Sequence, residues 1–229
     1  MKRIVILTGA GVSAESGIRT FRDSDGLWEN YRVEDVATYD AWLRDPELVI
    51  NFYNERYKQV KAAKPNAAHL ALKKLEQKYI VDVVTQNVDD LHERAGSSRV
   101  LHLHGEITKA RSSEYDDLIY PYPEEGLKIG DKCEKGYQLR PHIVWFGEAV
   151  PMLVKAANIV EKADIVIIIG TSMVVYPAAS LIHYAKRDIP KYYIDPKASN
   201  VSGVSNLNII ADKAGTATPK LVDELLENA

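Results

Sequence analysis

A chain of 229 residues, 46% hydrophobic and 27% charged, has length for one large domain, or one domain with an insertion, around a sizeable core. Its 29 basic and 32 acidic residues are interspersed and leave a formal net charge of −3, which excludes the footprint of a nucleic-acid binder or a membrane-surface protein. The single cysteine, Cys133, excludes an internal disulfide and fits a reducing compartment, and no stretch approaches the ~18 apolar residues of a membrane span, so a soluble cytoplasmic protein is expected.

The first predicted element is a strand. Arg3 to Leu7 reads RIVIL, a β-branched run that suits burial on both faces. Lys2 and Arg3 resemble the start of a signal peptide, but the apolar run behind them stops at Leu7, too short for one. TGAGVSAESG follows, residues 8–17. Gly9 and Gly11 permit close backbone approaches that a side chain forbids. Strand, glycine-rich turn and helix start together form a phosphate cradle, because free N–H groups and the helix dipole favour an anion. Ala14 stands where the common dinucleotide fingerprint has its third glycine, so a plain tight turn also reads this stretch.

Residues 18–32 break all periodicity. With Phe21, Leu27, Trp28 and Tyr31 among charges, they fit a mobile cover over a ligand or a surface loop pinned by its aromatics. Residues 39–63 read as a helix, with Leu48, Val49, Phe52, Tyr53, Arg56, Tyr57 and Val60 at helical spacing and Pro46 in a first turn. Another helix follows Pro65. YIVDVVTQN (79–87) is a buried strand with a polar end, and VDDLHERAG opens a helix that stops at Gly96. Residues 99–103 form a short strand. Residues 109–140, charged and aromatic with Pro121, Pro123, Gly126, Gly130 and Gly136, predict an insertion outside the main sheet, and PHIVWFGE returns to strand character. Beyond residue 150 come a helix to about Lys162, the strand ADIVIIIGTS (163–172), a helix from Pro177, a strand ending at Asp195, another over 208–211, and a closing helix over 216–226. This alternation predicts an α/β fold, a parallel sheet covered by helices on both faces. The polar strand ends TGAG, TQNVD, GTS and IDP then converge on one crevice.

Five strings, GAGVSAESGIRTFR, TQNVDDLHERAG, HLHG, PHIVWFGE and GTSMVVYPAA, occur in an order that resembles the sirtuins, the NAD-dependent protein deacylases. The resemblance spans essentially the whole chain. It implies a Rossmann-like large domain of residues 1–31, 65–108 and 141–229, and a small domain made by two insertions, 32–64 and 109–140. It assigns NAD binding to Gly9, Ala10, Gly11, Ser13, Glu15, Thr20, Phe21, Arg22 and Trp28. Gln86, Asn87, Val88 and Asp89 fall to the ribose and nicotinamide end. Gly170, Thr171, Ser172, Asp195 and Ala214 fall to the adenosine half. Asp195 stands where the family usually has Asn; it fits a ribose diol or an Asp–Pro turn.

The resemblance further implies protein substrates carrying an acylated lysine. Ile143, Val144, Phe146, Gly147 and Glu148 would pair with the substrate peptide as an added strand, with Val175 beside them. The acyl carbonyl oxygen would attack C1′ of the nicotinamide ribose, and His104 would act as the base on a ribose hydroxyl. His102 and His104, two apart on a strand, face one side. Read as a metal pair they lack nearby acidic or cysteine partners, so His104 at the strand end is the better base. The other histidines, His69, His92, His142 and His183, sit in structural contexts.

Two departures sharpen the reading. The family usually carries two C-x-x-C pairs for zinc; the matching positions here are Ser112, Tyr115, Cys133 and Gly136. A structural zinc site takes four N or S ligands, so no zinc is expected, and Tyr115, Leu118, Ile119, Tyr120, Tyr122 and Tyr137 are expected to form the small domain's core instead. Tyr53 and Arg56 form the Y-x-x-R of class III sirtuins, which accept acidic acyl chains such as succinyl and malonyl, with Ala37 leaving room. A solvated Arg56 on an amphipathic helix is the plainer reading. A dehydrogenase on the same fold and a non-catalytic NAD or ADP-ribose module are the alternative functions. The oligomeric state is left open.

Overall fold

The computed structural model describes residues 1–19, 27–28, 31–173 and 175–229. The chain enters through β1 (Arg3–Thr8) and a short α1 (Gly11–Ala14), then β2 (Leu27–Trp28), β3 (Tyr31–Arg32), α2 (Val33–Val36), α3 (Tyr39–Arg44) and α4 (Pro46–Ala62). Next come α5 (Ala67–Lys74), β4 (Ile80–Thr85), α6 (Leu91–Arg94), β5 (Val100–His102), β6 (Gly105–Ser112), β7 (Ile119–Pro121) and β8 (Leu139–Ile143). The last third holds α7 (Leu153–Val160), β9 (Ile165–Ile169), a 3-10 helix over Ala178–Tyr184, β10 (Lys191–Ile194), β11 (Leu207–Ile210) and α8 (Ala214–Glu227).

Six strands form one sheet in the order β11-β10-β9-β1-β4-β5, and every pairing in it is parallel. Counted within the sheet along the chain, this is the order of the doubly wound dinucleotide-binding fold, whose switch point lies beside its first strand. Here that point falls between β1 and β9. Central position explains the composition of β1: Ile4, Val5, Ile6 and Leu7 are all buried. Their side chains alternate between two cores. Ile4 and Ile6 pack with Leu72, Leu75, Leu221 and Val222 from the α5 and α8 side. Val5 and Leu7 pack with Ala156, Val160, Leu181 and Ile182 on the other face. Truncating Ile6 to Ala would cost about 2–5 kcal/mol, since both neighbouring strands fix its surroundings.

A third core lies outside this sheet. β7-β6-β8 form a small antiparallel sheet, and α2, α3 and α4 pack on it through Val36, Trp42, Val49, Phe52 and Tyr53, which meet Ile107, Leu127, Ile143 and Trp145. The two stretches that leave the main pattern therefore share one apolar interior.

Several expectations are corrected. Residues 39–63 form two helices, not one. Thr38 caps α3 by accepting from Ala41 N, and Asp45 ends it and caps α4 by accepting from Leu48 N, with Pro46 at the first position. The segment after Pro177 is 3-10 helix. The small sheet reaches beyond 109–140 at both ends, and PHIVWFGE is strand only to Ile143. Its later N–H groups turn elsewhere: Val144 N donates to His104 O and Phe146 N to Ala37 O, while Gly147 has φ +88°. The expected tyrosine core is mostly surface. Tyr122, Leu127 and Cys133 are buried, whereas Ile119 and Tyr137 are exposed by 44% and 42%. Strand β7 is a sheet edge, and Tyr115 and Tyr137 meet edge to face on the outside, with Lys135 Nζ 3.7 Å over the Tyr115 ring.

Candidate active site

The turns after β1 and β9 lie against each other at the switch point. Gly9 N donates to Ile169 O at 3.0 Å and Gly11 N to Gly170 O at 2.8 Å. A Cβ on Gly11 would meet the Gly170 backbone at 2.7 Å, and one on Gly170, at φ +63°, would meet Val12 N at 2.2 Å. Only glycine allows this contact. With Ala10, Thr171 and Ser172, these turns line one wall of a cavity of about 520 Å³.

The end of β4 supplies the next wall. Gln86 Nε2 donates to Thr171 Oγ1 at 3.3 Å, joining the strand ends. Asn87 Nδ2 donates to Gly9 O at 3.2 Å and to Ser13 Oγ at 3.1 Å, and Ser13 Oγ donates to Asp89 Oδ2 at 2.9 Å. Asp89 also accepts from Leu91 N. Burial raises the Asp89 carboxyl above its ordinary range, and these two donors only partly oppose the shift. Behind this cluster two histidines are fully buried. His92 Nε2 lies 3.1 Å from Thr8 Oγ1, and the His69 ring lies 4.8 Å from the His92 ring. Burial lowers His69 to about 4 and His92 to about 3.

His102 and His104 hang from consecutive carbonyls: His102 Nδ1 lies 2.9 Å from Asn87 O, and His104 Nδ1 lies 3.0 Å from Gln86 O. A carbonyl only accepts, so each Nδ1 carries a hydrogen and the Nε2 of neutral His104 is its basic nitrogen. Burial lowers His104 below the ordinary imidazole value, against the opposing pull of Gln86 O. His104 lines the cavity. His102 does not. Its Nε2 meets Glu93 Oε1 at 2.8 Å, and Glu93 is the acidic neighbour that sequence reading placed nowhere near it. Burial would lower His102, but the Glu93 bond and charge prevail and raise it.

Ile143, Val144, Phe146, Gly147, Glu148 and Val175 line the opposite wall of the same cavity, as do Val88 and Tyr53. Ile18, Arg19, Trp145, Val150, Tyr176 and Pro177 line it too and were missed. Most of them sit inside the strings already singled out, so position beside an assigned residue was the available signal. A side cavity of about 40 Å³ shares Ile18, Tyr53, Val88 and Asp89 with the main one and adds Arg56. Arg56 is only 5% exposed, which removes the reading of a solvated helix face. Ala37 lines the main cavity and is buried.

Among the described residues assigned to the cofactor, Glu15, Asp195 and Ala214 stand off the cavity. Glu15 Oε1 accepts from Gly215 N at 3.1 Å and so caps α8, which begins at Ala214 and has no capping side chain of its own. Asp195 is buried at the end of β10, and its Oδ1 accepts from Lys197 N at 2.8 Å, the bond of an Asp–Pro turn. Thr20, Phe21, Arg22 and the Trp28 side chain lie outside the described residues.

Comparison with known proteins decides the family. Residues 9–177 match the Sir2 family model. The chain belongs to the Sir2 family. An NAD-dependent protein deacylase of Helicobacter pylori is 52% identical over 229 residues, covering 100% of both chains. One of Bacteroides thetaiotaomicron is 53% identical over 233 residues, covering 99% of each. A solved Sir2 homologue in complex with NAD superposes with a TM-score of 0.88 at 44% identity, covering 99% of this chain and 90% of that one.

Of the four positions expected to match the zinc cysteines, Ser112, Tyr115, Cys133 and Gly136, Ser112 is bonded to Cys133 and to the backbone. Ser112 Oγ accepts from Glu114 N and Tyr115 N at 3.2 Å each, and Cys133 Sγ donates to it at 3.5 Å. Gly136 offers no side-chain donor. One thiol and one hydroxyl with a tyrosine do not fit a four-coordinate zinc site.

Proposed function

We propose that this Sir2-family chain is an NAD-dependent protein-lysine deacylase that transfers the acyl group to ADP-ribose and releases nicotinamide. One observation carries the reading: a single cavity joins the close-packed glycine turns, the Asn87–Asp89 cluster, the His104 ring and the 143–148 segment. The names of its relatives agree and favour no dehydrogenase. NAD, when bound, supplies an electrophilic ribose carbon and the nicotinamide leaving group. The chain's residues do the rest. Turns 9–11 and 170–172 hold the diphosphate and adenosine half, where no Cβ blocks the backbone. Gln86, Asn87 and Asp89 orient the ribose and the carboxamide. His104, neutral at pH 7 and with its Nδ1 hydrogen committed to Gln86 O, takes the ribose proton at Nε2. The 143–148 segment receives the peptide, and the large domain and the small domain (32–64, 109–140) flank it.

The acyl group is acidic in its preferred substrate. Tyr53 and Arg56 lie on one face of α4 and line the side cavity, where a guanidinium offers a carboxylate a planar fork. The small domain works without zinc, held by packing and by the Ser112–Cys133 contact. Product analysis tests the whole reading. Purified protein with NAD should release nicotinamide in step with loss of the acyl group from a lysine peptide, faster for succinyl than for acetyl. Growth of NADH absorbance, or NAD binding without turnover, would reject it.

A further inference from the structure

Between the peptide wall and the acyl wall lies an ion pair that binding alone does not require. Arg140 of β8 is 2% exposed. Its guanidinium grips Glu148 with both arms, Nη1 to Oε1 at 2.7 Å and Nη2 to Oε2 at 3.0 Å, and Nη2 also donates to Ile143 O at 3.0 Å. The carboxylate turns back on the segment: Glu148 Oε2 accepts from Trp145 N at 2.8 Å. Arg140 Cζ sits 3.4 Å over the Trp145 ring, and Trp145 Nε1 donates to Tyr53 Oη at 3.0 Å. Arg111 Nη2 stands 3.5 Å from Glu148 Oε1 and ties in the β6 strand. The contacts form a closed circuit, Arg140 to Glu148 to the Trp145 backbone, and from the Trp145 ring back to Arg140.

We propose that Arg140 and Glu148 are positioning residues that set the peptide-docking segment 144–147, and that Trp145 couples this segment to the acyl cavity through Tyr53. The inference rests on the reading of 143–148 as the peptide dock. The physical reason is local. Residues 144–147 have left the β8 ladder and contain a positive-φ glycine, so few sheet bonds hold them. Val144 N and Phe146 N are used by His104 O and Ala37 O, and Glu148 secures the N–H between them. A buried bidentate pair fixes that geometry more tightly than a neutral bond. The indole then transmits any shift of the segment to the Tyr53 hydroxyl, so peptide register and acyl recognition are set together.

Glu148→Gln, with Arg140→Lys as a second variant in case the first misfolds, tests this. Peptide KM should rise at least tenfold for acetyl and succinyl substrates alike, kcat should fall less than KM rises, and the dissociation constant for NAD should stay within twofold. Trp145→Phe, which keeps a ring but loses the indole N–H, should reduce the preference of the enzyme for succinyl over acetyl. A parallel loss of peptide affinity, NAD affinity and melting temperature would overturn the proposal, as would an unchanged peptide KM in a folded variant. A wild-type control separates this from the dock itself. Peptides N-methylated beside the acyl-lysine should bind at least tenfold more weakly. If they bind as the parent does, the docking reading fails and the brace with it; if they weaken while both variants keep normal KM, only the brace fails.

Discussion

The sheet side of the cavity and the small-sheet side are built from different materials. At the ends of β1, β4 and β9 the fixing contacts are short and mostly neutral: amide to carbonyl, hydroxyl to carboxylate, two buried histidines without charge. Across the cavity, Arg56, Arg111 and Arg140 are all buried, Arg140 over the Trp145 ring, Arg56 beside the Phe52 ring and Arg111 beside Glu148. On the function proposed above, the contrast matches what each side would hold. A cradle for a diphosphate and ribose needs backbone and small donors close in, whereas a dock for a peptide with an acidic acyl end needs buried cation and aromatic surface. The two sides meet at His104, whose ring hangs from Gln86 O while its own carbonyl accepts from Val144 N.

The largest effect is expected at that meeting point. His104→Ala should lower kcat by roughly 10²–10⁴-fold, the usual weight of a general base, while NAD binding stays within several-fold. In the parent enzyme the acid limb of kcat/KM should fall below pH 6.5, because burial lowers the His104 pKa. Near-normal turnover in the variant would leave the two sides with no shared catalytic group.

The charged side breaks next. Arg56→Met should lower kcat/KM on succinyl peptide by ~2–4 kcal/mol, a factor of about thirty to a thousand, because a desolvated carboxylate loses its partner. Acetyl peptide should change little. Tyr53→Phe should touch both substrates, since the Tyr53 hydroxyl also accepts from Trp145 Nε1. Equal losses on both peptides from Arg56→Met would make Arg56 a packing residue.

Acid should separate the sides in stability. His69 and His92 bind a proton near pH 6.5 when unfolded but only near 4 and 3 when folded. The unfolded chain therefore holds more protons in that window, and stability is full above pH 6.5 and lost as pH falls, by up to about 1.4 kcal/mol per pH unit for each histidine. His102, raised by Glu93, is protonated in both states below 6.5 and adds no slope there. Glu148, lowered by Arg140 against its own burial, keeps its contribution until the pH falls below the ordinary glutamate range. His142 of β8 is lowered by burial too, so the small-sheet side carries one histidine of the same sign against the two on the sheet side; hydrogen exchange at pH 5 should open β1 and α6 before β6 and β8. His69→Asn should reduce the slope of unfolding free energy against pH; an unchanged slope would place the acid weakness elsewhere.

How much of this was legible depends on sequence separation. The main sheet announced itself because its central strands β1 and β9 are continuous apolar runs, and its site because glycines and polar residues follow those runs at once. The 3-10 segment and the break at Asp45 were missed because apolar spacing does not distinguish a broken helix from a continuous one. The pairing of His102 with Glu93 was missed because a strand and a helix had to fold before the two side chains met. The same holds for the circuit through Trp145 and Tyr53, 92 residues apart. Local pattern places a residue in an element, but not what a buried guanidinium or indole will face.

On the sheet side the next effect is smaller. Asn87→Ala removes donors to Gly9 O and Ser13 Oγ together with one polar contact for the carboxamide, and should cost ~1–3 kcal/mol in nicotinamide exchange. Adenosine contacts should hold, so ADP-ribose affinity should change less than exchange does. A normal exchange rate would move the carboxamide away from the β4 end.

The smallest effect concerns the small domain's lost cysteines. Where zinc holds such a unit, chelation removes folding energy outright and a ligating thiolate cannot be replaced. Here Ser112 accepts from the backbone N–H groups of Glu114 and Tyr115, and Cys133 makes one weak S–H bond to it from a buried position. Cys133→Ser keeps a donor of similar shape, shortens the bond and trades a buried sulfur for a more polar oxygen. These changes oppose each other and should sum to no more than about 1 kcal/mol. A strong chelator should leave the melting temperature unchanged, and metal analysis should find no zinc in proportion to protein. One zinc per chain, or a melting temperature that falls on chelation, would mean that the peptide side is pinned by a metal and not by its aromatic and arginine packing. The contrast between the two sides would then have to be drawn again from a coordinated ion.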